Sequence, residues 1–107
     1  MRLYHNPRCS KSRQAVKLLT DNGVSFQEHR YLEEGIMEED LPLLATLTGI
    51  IRKQEKEFKE LDFEVNSPND IIKALRSKPK LLERPVLIKD DKAIIGRPPE
   101  DLLQLLS

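Results

Sequence analysis

Residues 4–13 read YHNPRCSKSR and hold the only cysteine of the chain, Cys9. Arg2-Leu3-Tyr4 before it reads as a short strand, and His5-Asn6-Pro7 breaks that strand with turn residues. From Ser10 a helix is expected, because Ala15, Val16, Leu18 and Leu19 recur at helical spacing. Asp21-Asn22-Gly23 ends it with residue types that tolerate left-handed backbone. Cys9 therefore falls between the carboxyl end of a strand and the first turn of a helix. Unpaired amides and the helix dipole favour an anion there, so the thiol pKa is expected below about 8.5. Arg8, Lys11 and Arg13 add local positive charge, and the hydroxyls of Ser10 and Ser12 can reach a sulfur or a bound oxyanion.

Working outward from this loop, residues 24–32 are a second strand candidate, with Val24 and Phe26 alternating against polar neighbours. Strand, helix and strand make a β-α-β unit whose crossover length suits parallel pairing. Residues 33–80 read as a helical insertion. Met37, Leu41, Leu44 and Thr48 fall at helical spacing behind the acidic start Glu38-Glu39-Asp40, and Gly49 punctuates that helix. The charged segment 55–60 reads as a solvated helix or turn. Ser67-Pro68-Asn69-Asp70 is a helix start with a cap, a proline and an acid in place, followed by the apolar Ile71, Ile72 and Leu75. Residues 85–89 and 92–96 read as a β-hairpin turning at Asp90-Asp91. Pro98-Pro99-Glu100-Asp101 opens a last helix packed through Leu102, Leu103, Leu105 and Leu106. The order β-α-β, helices, β-β-α predicts one α/β domain over residues 1–107. Its expected fold is thioredoxin-like (glutaredoxin-like), a four-stranded mixed sheet with a helical insertion.

Composition narrows the function. Hydrophobic residues are 38% and aromatics only 5%, so the core must be aliphatic. Lysine plus arginine number 18 and acids number 18, a zero balance that gives no reason to expect nucleic acid or an anionic membrane as partner. No apolar run is long enough to span a bilayer, and MRLYHNP has no apolar region like that of a signal peptide. A lone cysteine cannot form an internal disulfide, so a reducing cytoplasm is expected. By count alone such a cysteine is more often silent; its placement argues for activity. His5 and His29 with one cysteine lack metal-ligand spacing, so no metal is expected. Neither a phosphate-binding Gly-rich loop nor a dinucleotide fingerprint is present, and no bound cofactor is expected. Without heptads or net charge, a monomer is the default expectation. The C-S-K-S spacing places Ser12 where a dithiol motif has its second cysteine. An adduct on Cys9 must then be resolved by an outside thiol, such as glutathione, a glutaredoxin or a similar donor.

YHNPRCSKSR resembles the active-site loop of the ArsC family of glutaredoxin-linked arsenate reductases, whose signature is close to H-N-P-x-C-G-T-S-R. Three further segments match in order. These are Arg52 in GIIRK, Arg84 in LLERPVLI and Arg97 in IGRPPEDLL, corresponding to the family's anion-site arginines. Ser10-Lys11 replaces the family's Gly-Thr, and the chain is shorter than the longer reductases, which points to a short sister branch. The resemblance implies that Cys9 attacks arsenate, that glutathione and glutaredoxin resolve the adduct, and that Arg52, Arg84 and Arg97 hold the oxyanion. Arginine suits that task because its planar fork donates two parallel hydrogen bonds and stays charged. Supporting positions are His5, Asn6, Ser10, Ser12, Arg13 and Pro85. His5 either orients the loop, modulates the thiolate or merely bonds to backbone, and Asn6-Pro7 shapes the turn. In thioredoxin-like folds the proline beside the thiol is usually cis, so the Arg84-Pro85 bond is expected to be cis. Nothing links His29 to the site. Two other readings stay open: a monothiol glutaredoxin-like oxidoreductase acting on glutathione adducts, and a non-enzymatic ArsC-like regulator binding RNA polymerase. Three arginines around one sulfur favour the oxyanion reading over the first. The absence of C-x-x-C weighs against the redox switch of the second.

Overall fold

A computed structural model describes residues 1–106. Strands β1 (Arg2–Tyr4), β2 (Gln27–His29), β3 (Val86–Lys89) and β4 (Lys92–Ile95) form one sheet in the order β2-β1-β3-β4. β1 pairs parallel with β2, with Tyr4 opposite His29, and antiparallel with β3, with Tyr4 opposite Val86. β3 and β4 form the expected hairpin, and Asp90 in its turn takes φ 56°, a left-handed value that aspartate tolerates. The mixed four-stranded sheet with helices is the thioredoxin-like fold expected from the sequence.

Strand alternation divides the core in two. On one face Leu3 and Leu87 pack with Ala15 and Leu19 of α1 (Ser10–Asp21) and with Leu102. On the other, Tyr4, Val86 and Ile88 pack with Leu41 and Leu44 of α3 (Leu41–Leu44) and with Ala74 and Leu75 of α5 (Pro68–Ser77). The start of α5 carries a full capping box: the Ser67 hydroxyl accepts from the Asp70 amide, and the Asp70 carboxylate accepts from the Ser67 amide. The front of the insertion is tied to β1 through Asp40, which accepts from Arg2 Nη1 at 2.7 Å and from the buried Tyr4 hydroxyl at 2.5 Å.

Three elements depart from the sequence expectation. β2 covers only the centre of residues 24–32. Val24 and Phe26 pack against the α1 face, and beyond His29 the Glu34 carboxylate accepts the Arg30 amide and turns the chain into α2 (Tyr31–Glu34). The single helix expected behind Glu38 is instead a 3-10 turn, Glu38–Asp40, followed by the short α3. Pro42 explains the break: it has no amide to donate, and its ring would clash with the carbonyl four residues back in a continuous helix. The charged segment forms, as expected, a single helical turn, α4 (Lys56–Lys59). The last element, Pro99–Leu105, winds as a 3-10 helix, whose spacing of three aligns Pro99, Leu102 and Leu105 on one side.

Gly96 lies where the end of β4 meets this last helix. A Cβ added there would sit 2.8 Å from Leu102 Cγ and 3.0 Å from Pro85 Cγ. Gly96→Ala should therefore overpack the core by about 1–3 kcal/mol. Thermal unfolding is expected to show a clearly lowered Tm, and an unchanged Tm would refute the close packing.

Candidate active site

All four strands send chain to one edge of the sheet. The Cys9 loop follows β1, Tyr31 follows β2, Arg84 and Pro85 precede β3, and Arg97 follows β4. The Arg84-Pro85 bond is cis, as expected; so is Arg97-Pro98, which the sequence did not suggest. Arg52 arrives by a separate route. An antiparallel bridge pairs Ile51 with Leu82, and the Arg52 amide donates to the Leu81 carbonyl at 2.8 Å.

The loop is held from behind by Ser12, which is fully buried. Its Oγ lies 2.7 Å from His5 Nδ1 and accepts from the Asn6 amide at 3.0 Å. Asn6 Oδ1 in turn accepts from the Arg8 amide at 3.0 Å, closing the Pro7 turn. A neutral His5 with its proton on Nε2 satisfies both neighbours: Nδ1 accepts from the Ser12 hydroxyl, and Nε2 faces Glu28 Oε1 at 3.4 Å. Burial keeps His5 below its ordinary pKa against the pull of Glu28, with Arg30 and Arg13 acting in the same direction as burial. His5 is thus placed to orient the loop rather than to touch the sulfur. Its bond to a serine hydroxyl corrects the expectation of a backbone partner.

Cys9 is the N-cap residue of α1 and is partly exposed. Burial pushes its thiol up. The Ser12 amide, the Arg84 guanidinium and the Lys11 amide outweigh that and leave it below its ordinary value. These are the amides of the third and second helical residues, the positions an N-cap side chain addresses. The expected role of the loop side chains therefore needs correction. Ser12 serves the thiol through its amide, since its hydroxyl is turned to His5 and Asn6. Lys11 likewise acts through its amide. Arg13 donates to the Pro7 carbonyl at 2.9 Å and braces the turn. Ser10 is exposed at the helix start, with no hydrogen bond from its hydroxyl among the described residues.

The three arginines differ in what they already bind. Arg97 Nη2 reaches Cys9 Sγ at 3.5 Å, while its Nε donates to the Arg84 carbonyl at 2.9 Å and lies 3.1 Å from Glu83 Oε1. Arg52 donates to Glu55 at 3.0 Å through Nε and to Glu83 at 2.7 Å through Nη1. Arg84 is buried, and among the described residues its guanidinium has no carboxylate partner. Its Nη1 is 3.5 Å from the Lys80 carbonyl, and its buried Nε has no hydrogen-bond partner among the described residues. Arg84, without a carboxylate partner among the described residues, and Arg97 through Nη2 are thus the two cations that act on the thiol.

Two residues of this edge escaped the sequence reading. Glu83 Oε1 accepts from Arg52 Nη1 and from the Arg84 amide, and lies beside Arg97 Nε, so one carboxylate oxygen joins all three arginine segments. Its position next to Arg84 in LLERPVLI was the available signal. Tyr31 is fully buried, and its hydroxyl feels the charges of Arg84, Arg52 and Cys9. A tyrosine just past the second strand of a β-α-β unit could have been flagged by topology alone. His29 takes no part. It is 2.7 Å from the Gly35 carbonyl and packs edge-on to Tyr4. No three His, Cys, Asp or Glu side chains among the described residues are arranged to hold a metal ion.

A thioredoxin-like sheet that presents one lowered thiol beside guanidinium groups defines a single-thiol class of this fold. The chain belongs to the ArsC family, whose model matches residues 4–105. It is 39% identical to the uncharacterized protein YfgD of Escherichia coli strain K12, over 99% of this chain and 96% of that one. It is 37% identical to an arsenate reductase of Haemophilus influenzae, over 97% of both chains. Among solved structures, an arsenate reductase from Vibrio cholerae superposes with a TM-score of 0.84 at 35% identity, covering 97% of both chains. No helix among the described residues is long and apolar enough to cross a membrane.

Alkylation of Cys9 by iodoacetamide, followed against pH, reads the thiolate directly. The midpoint should lie below the ordinary thiol value of about 8.5. Arg84→Ala should raise it, because a cation and a hydrogen bond to the thiolate are lost together. Lys11→Ala should leave it in place, because the amide remains. A midpoint unmoved by Arg84→Ala would sink this account of the thiol.

Proposed function

We propose that the protein is a thiol-dependent reductase of a tetrahedral oxyanion, with arsenate as the leading substrate and glutathione with glutaredoxin as the external reductant. One observation carries the reading: a helix-start thiol held below its ordinary pKa, with the Arg84 guanidinium, which has no carboxylate partner among the described residues, beside it and Arg97 Nη2 at 3.5 Å. The names of the relatives at 35–37% identity support arsenate as substrate.

In this reading the Cys9 thiolate attacks arsenic and displaces one oxygen as water, forming a sulfur–arsenic bond with arsenic still pentavalent. Glutathione thiolate then attacks the Cys9 sulfur. The sulfur–arsenic electron pair passes to arsenic, which leaves as trivalent arsenite. Cys9 and glutathione remain joined as a mixed disulfide, and glutaredoxin returns Cys9 to the thiol at the expense of a second glutathione. The two electrons gained by arsenic are those lost by the two thiols. Arg84 and Arg97 donate to the oxyanion as charge shifts onto its oxygens. Arg52 supports them through Glu83. The absence of a second cysteine fits a reaction whose resolving thiol comes from outside.

A coupled assay containing arsenate, glutathione, glutaredoxin, glutathione reductase and NADPH should show turnover that Cys9→Ser abolishes. Arg84→Ala should lower kcat/KM by about 100-fold or more. A folded protein that fails to turn over arsenate under these conditions rules out arsenate as the substrate.

A further inference from the structure

The two tyrosines of the larger core cluster have opposite fates. Both are fully buried. The Tyr4 hydroxyl donates to Asp40 and accepts from the Met37 amide, so it is satisfied. Among the described residues the Tyr31 hydroxyl has no partner at hydrogen-bond geometry, although the Arg84 guanidinium lies near enough to pull on it. Buried polar groups are nearly always paired, so an unpaired one in a well-packed core calls for a reason. Arg84 Nε, buried at the same edge of the sheet, is in the same condition.

Position supplies the reason. Tyr31 is the first residue of α2, two residues beyond the end of β2. β2 runs parallel to β1, so Tyr31 emerges at the edge where the Cys9 loop leaves β1. Its ring packs at 6.2 Å from that of Tyr4, and its hydroxyl lies within the fields of Arg84, Arg52 and Cys9. Burial pushes the phenol up to about 12 against the pull of Arg84 and Arg52, so it remains a protonated donor at any working pH. Two orphaned donors beside a thiolate suit an acceptor with several oxygens.

We propose that Tyr31 is a further substrate-binding residue, whose O–H donates, together with Arg84 Nε–H, to the tetrahedral oxyanion brought to Cys9. The inference rests on the oxyanion reading above and adds to it a neutral donor. A phenol discriminates differently from an arginine. It binds an oxygen without adding charge, and it can equally accept from a protonated oxygen of the same anion.

The test is protection of Cys9 from iodoacetamide by inorganic arsenate, with glutathione omitted, in wild type and Tyr31→Phe. Loss of one hydrogen bond to a charged group should raise the half-protecting arsenate concentration about 10–100-fold. The alkylation midpoint without arsenate should stay where it is, and Tyr31→Phe should melt at or above the wild-type temperature, because an unpaired buried hydroxyl has been removed. Equal half-protection in the two proteins would overturn the proposal. A shifted midpoint with unchanged protection would also overturn it, since Tyr31 would then act on the thiol. A marked fall in melting temperature would do the same by showing that the hydroxyl serves the fold. If arsenate protects neither protein, the oxyanion reading itself fails, and this inference goes with it.

Discussion

The antiparallel register of β3 on β1 is the constraint from which the rest of the molecule follows. With Tyr4 opposite Val86, residues 84 and 85 lie against the loop that carries Cys9. The same pairing sends Leu3 and Leu87 to one face and Tyr4, Val86 and Ile88 to the other, which builds the two halves of the core. A slip of one residue would turn each apolar set to the wrong face and move Arg84 away from the sulfur. Stability and site geometry are therefore specified by the same backbone hydrogen bonds. The hairpin extends this logic: Val86 opposite Ile95 brings Gly96 and Arg97 back to the same edge.

Within that frame, Glu83 is the hub. A single oxygen accepts from the Arg52 guanidinium and from the Arg84 amide and lies beside Arg97. Three segments distant in sequence are thus held together without any of them touching the thiol loop through a backbone bond. The thiol loop has its own brace in Ser12, His5 and Asn6. The two networks meet at the groups that face the sulfur, Arg84 and Arg97.

Much of this was legible in the residues. Periodicity gave α1 and α5, turn chemistry gave the hairpin, and the order of elements gave the sheet. The thiol loop stood out by its turn and helix-start chemistry, whereas the three arginines were singled out by their resemblance to the anion-site arginines of the ArsC family. What escaped notice depends on tertiary placement. Pro42 was overlooked inside an otherwise helical pattern, so a break was read as continuity. Leu32 looks like a strand residue but is exposed on a helical turn, because Glu34 captures the Arg30 amide just before it. Ser12 carries a hydroxyl that sequence reasoning aimed at the sulfur, whereas packing turns it to His5. Glu83 drew no reading of its own, since nothing local shows that Arg52 and Arg97 converge on it.

The pairing of these charges has an outcome for how any anion arrives. With Cys9 ionised, the guanidiniums of Arg52, Arg84 and Arg97 are matched by Glu55, Glu83 and the thiolate, and the whole chain also carries no net charge. Such a cluster casts little field of its own into solvent, and the remaining positive charge at this edge is that of Arg8, Lys11 and Arg13 on the thiol loop. Selection among anions that reach the sulfur would then rest on the geometry of the donors at contact range.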